Sequence, residues 1–65
     1  MVDYKEIIKK KRLEKNLSQS QLAKIIGITQ PFMNEIESGR KKPSLDVLVQ
    51  ICEVLDIRLF PDEGT

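Results

Sequence analysis

Gly27 separates two short amphipathic stretches, each with its own start signal, and this arrangement constrains the fold more than any other feature of the chain. Upstream, Ser18 followed by Gln21 has the spacing of a capping box. Leu22, Ala23, Ile25 and Ile26 then recur at helical spacing, which predicts a helix over about Gln19–Ile26. Gly27 closes it, because glycine reaches positive φ without steric cost. Downstream, Thr29 is a favoured N-cap. Pro31 falls in the first turn of the next helix, where a missing N–H is no loss. Met33 and Ile36 face inward at i, i+3, and Gly39 ends the run. Ala23 is small where two helices cross closely, and Ile28 is expected to be buried inside the turn. Two short helices joined by a three- to four-residue turn with Gly form a helix-turn-helix.

The flanks read as two further helices. Asp3 and Glu6 have capping-box spacing, and Tyr4, Ile7 and Ile8 begin an apolar stripe, so a first helix is expected over about Tyr4–Lys15 with Asn16 as its stop. Ser44 caps a fourth helix whose stripe is Leu45, Leu48, Ile51, Cys52 and Leu55, ending near Asp56. Tyr4 is expected as a lid over the first helix, and Cys52 as a small buried hydrophobe. Residues 57–65 form a short tail. The expectation is a single all-α domain over 1–65, a bundle of four to five short helices.

At 65 residues a chain buries only about 60% of the surface it exposes when unfolded, so helix packing or self-association must supply its stability. A lone cysteine and the absence of histidine leave no internal disulfide and no structural metal site. No cofactor is expected either: there is no Gly-rich phosphate loop and no clustered ligand set, which argues against an enzyme. No apolar run approaches the length of about 18 that spans a bilayer, and the opening Met-Val-Asp-Tyr-Lys-Glu lacks the apolar core expected of a signal peptide. The expected setting is the cytoplasm, without membrane contact.

The net charge of +1 conceals a strong asymmetry. Residues 1–15 carry +3, residues 40–42 another +3, residues 16–39 carry −1 and residues 43–65 carry −4. Such a molecule can face a polyanion with one side and repel it with the other.

The stretches Leu17-Ser18-Gln19-Ser20-Gln21-Leu22-Ala23, Gly27-Ile28-Thr29-Gln30 and Ile36-Glu37-Ser38-Gly39-Arg40-Lys41-Lys42-Pro43-Ser44 resemble the Cro/phage-repressor-type helix-turn-helix family, also called the XRE family. The resemblance covers roughly residues 4 to 57. It implies a lambda-repressor-like bundle that binds operator DNA, usually as a dimer, with the third helix in the major groove. Members often have a clear fifth helix, and here only Ile57–Phe60 remains for it. The resemblance also implies an ion pair between Arg12, at the end of the first helix, and Glu37, near the end of the third. This pair is expected to be partly buried and structural.

Residue chemistry adds candidate roles. With Met33 and Ile36 inward, Gln30, Pro31, Asn34, Glu35 and Ser38 face outward. Gln30 and Asn34 suit adenine by bidentate pairing, and Glu35 suits the cytosine amino group. Each has a competing reading as a solvated surface residue. Gln19 starts the second helix, where free N–H groups favour a phosphate, and the resemblance assigns it the same contact. Ser38 and the basic loop Arg40, Lys41 and Lys42 are candidates for the same backbone. Phe32 either packs against the fourth helix or meets the DNA backbone or a thymine methyl. The apolar tail residues Ile57, Leu59 and Phe60 are candidates for a homodimer contact or for binding a second protein. The leading expectation is therefore a small repressor binding double-stranded DNA at a near-palindromic operator. A DNA-binding antitoxin with a toxin partner, or a protein-interaction module, is the alternative.

Overall fold

Each helix begins where a short polar side chain takes up a free N–H. In a computed structural model that describes residues 3–58, the helices are α1 (Tyr4–Glu14), α2 (Gln19–Ile26), α3 (Gln30–Ser38) and α4 (Leu45–Leu55). Among the described residues there is no strand, so the architecture is all-α with four helices. Asp3, Ser18, Thr29 and Ser44 are the N-caps. Ser18 and Gln21 form the full reciprocal capping box. Asp3 caps differently from the sequence expectation. Its carboxylate accepts the Lys5 N–H at 3.0 Å and pairs with the Lys5 ammonium at 3.0 Å, while the Glu6 N–H bonds to the Asp3 carbonyl. Lys5 thus takes the carboxylate that the spacing had assigned to a box with Glu6, and these contacts hold the Asp3 carboxyl below its usual range.

The stops are equally local. Asn16 and Asp56 adopt positive φ, as do Gly27 and Gly39. At Gly27, φ is +89°, and the Gly27 and Ile28 N–H groups both bond to the Ala23 carbonyl at 2.8 and 2.9 Å. This satisfies the end of α2 and turns the chain into α3 within three residues.

The core is Ile8 from α1, Leu22 and Ala23 from α2, Met33 and Ile36 from α3, and Ile51 and Leu55 from α4. Leu17, Ile26, Ile28, Phe32, Val47, Leu48, Val54 and Ile57 pack around it. Helix α3 packs on α1 and α2, and α4 closes the bundle against the same two helices. Phe32 is half-buried and packs against this core.

Three apolar residues depart from expectation. Leu45 is 72% exposed although it starts the α4 stripe. Helical side chains lean toward the N-terminus, so a first-turn residue overhangs the end of the bundle. Ile25 is exposed because it lies at the rim of the arc defined by Leu22, Ala23 and Ile26. Tyr4 is also exposed. It borders a shallow apolar groove with Ile7, Ile8, Leu48, Cys52, Ile57 and Arg58 and does not cover α1 as a lid. Cys52 is buried, and burial pushes its thiol pKa up. No described helix is long and apolar enough to cross a membrane.

Candidate nucleic-acid interface

The outward face of α3 is organised from the inside. Arg12, in the last turn of α1, points into the protein and meets Glu37 of α3. Its Nε donates to Glu37 Oε2 at 2.7 Å and its Nη2 to Oε1 at 3.1 Å, a bidentate fork. Its Nη1 donates to the Leu17 carbonyl at 2.8 Å, tying the α1–α2 loop to the same guanidinium. The two side chains are only 7% and 4% exposed, so the pair is more deeply buried than expected from the sequence. Isolated charges would be costly there. The arrangement holds because every buried side-chain polar atom among the described residues has a partner.

Glu37 carries the order outward. Its Oε1 also accepts from Gln19 Nε2 at 3.1 Å. Gln19 Oε1 in turn accepts from Gln30 Nε2 at 2.9 Å and from Asn34 Nδ2 at 3.3 Å. Three amides from the first turn of α2 and the outer face of α3 are thereby fixed to a buried salt bridge. Gln30 and Asn34 are exposed, and Gln19 is half-buried. Each outer amide uses one of its two N–H donors on Gln19. The other donor and the carbonyl oxygen remain for a base edge, as a bidentate contact with adenine requires.

The sequence reading brought Gln19 to the same surface but missed its position as the hub. That role depends on how α2 crosses α3, which no periodicity encodes. With its side chain engaged, Gln19 keeps its backbone N–H as a donor. The capping box occupies the Ser18 and Gln21 N–H groups. Among the described residues, no protein acceptor takes those of Gln19 and Ser20. These two donors at the positive end of α2 suit an anion.

The remaining candidates lie at the exit of α3. The Ser38 hydroxyl donates to the Glu35 carbonyl at 3.2 Å, so its proton is already used inside the helix. Arg40 and Lys42 are exposed, and among the described residues neither forms an ion pair. Lys41 lies 3.5 Å from Glu35. Two candidates assigned to different parts of DNA therefore contact each other. Lys5, which the sequence reading did not single out, lies over Gly39: a Cβ at Gly39 would stand 2.9 Å from its Nζ. This adds a cation at the negative end of α3. Of the tail candidates, Ile57 is half-buried against the chain's own core, while Leu59 and Phe60 lie outside the described residues. Among the described residues, no cluster of His, Cys, Asp or Glu could hold a metal.

A family model described as helix-turn-helix matches residues 8–60. Among curated proteins, the chain is similar to the ImmF control region 10 kDa protein of Bacillus phage phi105, with 37% identity over 62 residues. That match covers 91% of this chain and 69% of the phage protein. An uncharacterized HTH-type transcriptional regulator of Bacillus subtilis strain 168, YqaE, is 36% identical over 86% of this chain and 48% of its own length. Multiprotein-bridging factor 1c of Arabidopsis thaliana is 40% identical over 82% of this chain and 36% of its own. The chain thus spans about a third to two thirds of the relatives it matches. No solved structure matches it significantly.

Proposed function

As this chain belongs to the Cro/phage-repressor-type helix-turn-helix family of DNA-binding regulators, we propose that it binds double-stranded DNA sequence-specifically as a transcriptional repressor, through the outer face of α3. The observation that carries this reading is the amide cluster of Gln19, Gln30 and Asn34, anchored on the buried Arg12–Glu37 pair. Long polar side chains on a free surface ordinarily lose rotamer entropy when they bind. Here two of them are already oriented, each with a donor and an acceptor left over. That arrangement favours recognition of base edges over simple solvation.

Gln30 and Asn34 read bases, and Glu35 accepts from a cytosine amino group. The N–H groups of Gln19 and Ser20, the hydroxyl of Ser38 and the cations Arg40, Lys41 and Lys42 hold the backbone. Ser38 reaches a phosphate only by turning its proton away from the Glu35 carbonyl. Four to six phosphate contacts give log K a slope against log salt of about −4 to −5. The phage relative is named for a control region, which supports a regulatory role.

We further propose a homodimer with recognition helices about 34 Å apart on a near-palindromic operator, acting in the cytoplasm. Its contact would use the apolar Leu59 and Phe60, which come next in sequence after Ile57 and Arg58, two residues of the groove bordered by Tyr4 and Leu48. The same groove is what favours the second reading, in which the tail holds a toxin or another protein. Truncation after Arg58 separates the two. Loss of the dimer with the monomer fold intact supports self-association, and a surviving dimer supports another partner.

The decisive experiment is selection of bound sequences from a random duplex pool with the full chain. An inverted repeat with half-sites one helical turn apart is expected. A single half-site would refute the dimer, and no enrichment at modest salt would refute DNA reading.

A further inference from the structure

Glu35 is the one carboxylate on the outer side of α3, beside Asn34 and Ser38, and a carboxylate facing DNA is repelled unless it meets a donor. Its Oε1 lies 3.5 Å from Lys41 Nζ, with the two side chains 28% and 61% exposed. The contact is more than a chance meeting of two long side chains. The Arg40 and Lys41 N–H groups both bond to the Glu35 carbonyl, at 2.9 and 3.3 Å, and the Ser38 hydroxyl bonds to the same oxygen. The turn at Gly39 therefore pins the backbone of Lys41 to the backbone of Glu35, and only the side-chain torsions remain to be fixed. Arg40 shares the backbone tie, but among the described residues neither Arg40 nor Lys42 pairs its side chain with a carboxylate.

One ammonium cannot neutralise Glu35 and a phosphate at full strength together. We propose that Lys41 is a conditional phosphate contact: it is held by Glu35 until the carboxylate finds a base-edge donor, and only then is it released to the DNA backbone. The pair would couple base readout to backbone affinity and so determine specificity. This rests on the proposed binding of DNA through α3. At the operator, Glu35 accepts from a cytosine amino group and Lys41 gains a phosphate. On unrelated sequence Glu35 meets no donor, keeps Lys41, and the complex forms with one fewer phosphate contact.

The test is the salt dependence of binding, measured by fluorescence anisotropy on the selected operator and on a scrambled duplex of equal length and composition. The chains are the wild type, Glu35→Gln, Lys41→Gln and Lys42→Gln, each checked for helicity. One phosphate contact contributes about 0.9 to the slope of log K against log salt, or about 3.5-fold in affinity between 50 and 200 mM. Lys41→Gln is expected to flatten the slope by about 0.9 on the operator and to leave the scrambled duplex unchanged. Glu35→Gln is expected to steepen the slope by about 0.9 on the scrambled duplex, with no change of slope on the operator. Lys42→Gln should flatten both slopes equally. If Lys41→Gln also flattens both equally, or Glu35→Gln leaves the scrambled duplex unchanged, the coupling is overturned while DNA binding stands. If the wild type binds neither duplex in a salt-dependent way, the DNA reading itself falls and takes the coupling with it.

Discussion

Replacing Glu37 by Ala removes the acceptor of two Arg12 N–H donors and one Gln19 donor, and it leaves a guanidinium at 7% exposure with a single carbonyl partner. Breaking a buried ion pair from one side costs about 3–5 kcal/mol, because the surviving charge is stranded. A 65-residue domain has a total stability of about 3–10 kcal/mol, so the loss is a large share of the whole. At about 4–8 °C per kcal/mol for a domain of this size, the midpoint should fall by at least about 12 °C. The assay is thermal and urea unfolding followed by helical circular dichroism at pH 7. A companion double variant, Arg12→Met with Glu37→Leu, removes both charges and fills much of the same space. It should recover a large part of the loss, since buried pairs exchanged for apolar groups are often neutral or better. It should not recover all of it, because the Leu17 carbonyl and one Gln19 N–H lose their partners, at about 1–3 kcal/mol for an unsatisfied buried group. A loss below about 0.5 kcal/mol for Glu37→Ala is what an exposed pair would show, and it would refute the argument.

Other consequences follow from local geometry. Gly39→Ala meets both a positive φ and the Lys5 side chain, whereas Gly27→Ala meets only the positive φ, so Gly39→Ala should be the more destabilising by thermal melt, with backbone strain alone costing about 1–2 kcal/mol at each. Ser18→Ala removes the reciprocal cap of α2 and should lower stability by about 1 kcal/mol in urea titration. Cys52 is buried with its thiol pKa raised above the ordinary 9.0, so the folded protein should alkylate far more slowly than the urea-unfolded chain at pH 8. The same shift means that the unfolded thiol ionises first, so stability should begin to fall as pH rises past about 9, an effect that Cys52→Ala abolishes.

The boundaries of all four helices were legible because caps are short-range. Ser18, Thr29 and Ser44 bond to N–H groups three residues on, and Gly27 and Gly39 adopt a backbone few other residues favour. Burial was legible where a stripe runs through the middle of a helix, as at Met33 and Ile36, and failed at its ends and rim, as at Leu45 and Ile25. The Arg12–Glu37 pair spans 25 residues and was accessible only through family resemblance. The hub at Gln19 and the contact between Glu35 and Lys41 were not legible. Both depend on where one segment lands on another: α2 crossing α3, and a loop folding back at Gly39. Outward-facing polar residues could be named from periodicity, but their mutual bonds could not.

Recognition through the outer face of α3 requires amides that are already placed when DNA arrives. Side-chain amide resonances of an isotope-labelled chain, followed while the selected duplex is added, report this without any substitution. The amide signals of Gln19, Gln30 and Asn34 should shift together at stoichiometric duplex, with the Arg12 Nε signal nearly still because the buried pair does not reorganise. If those three amides stay in place while signals from Tyr4, Ile7 and Leu48 move, binding uses the groove lined by α1 and α4 and α3 is not the reading helix.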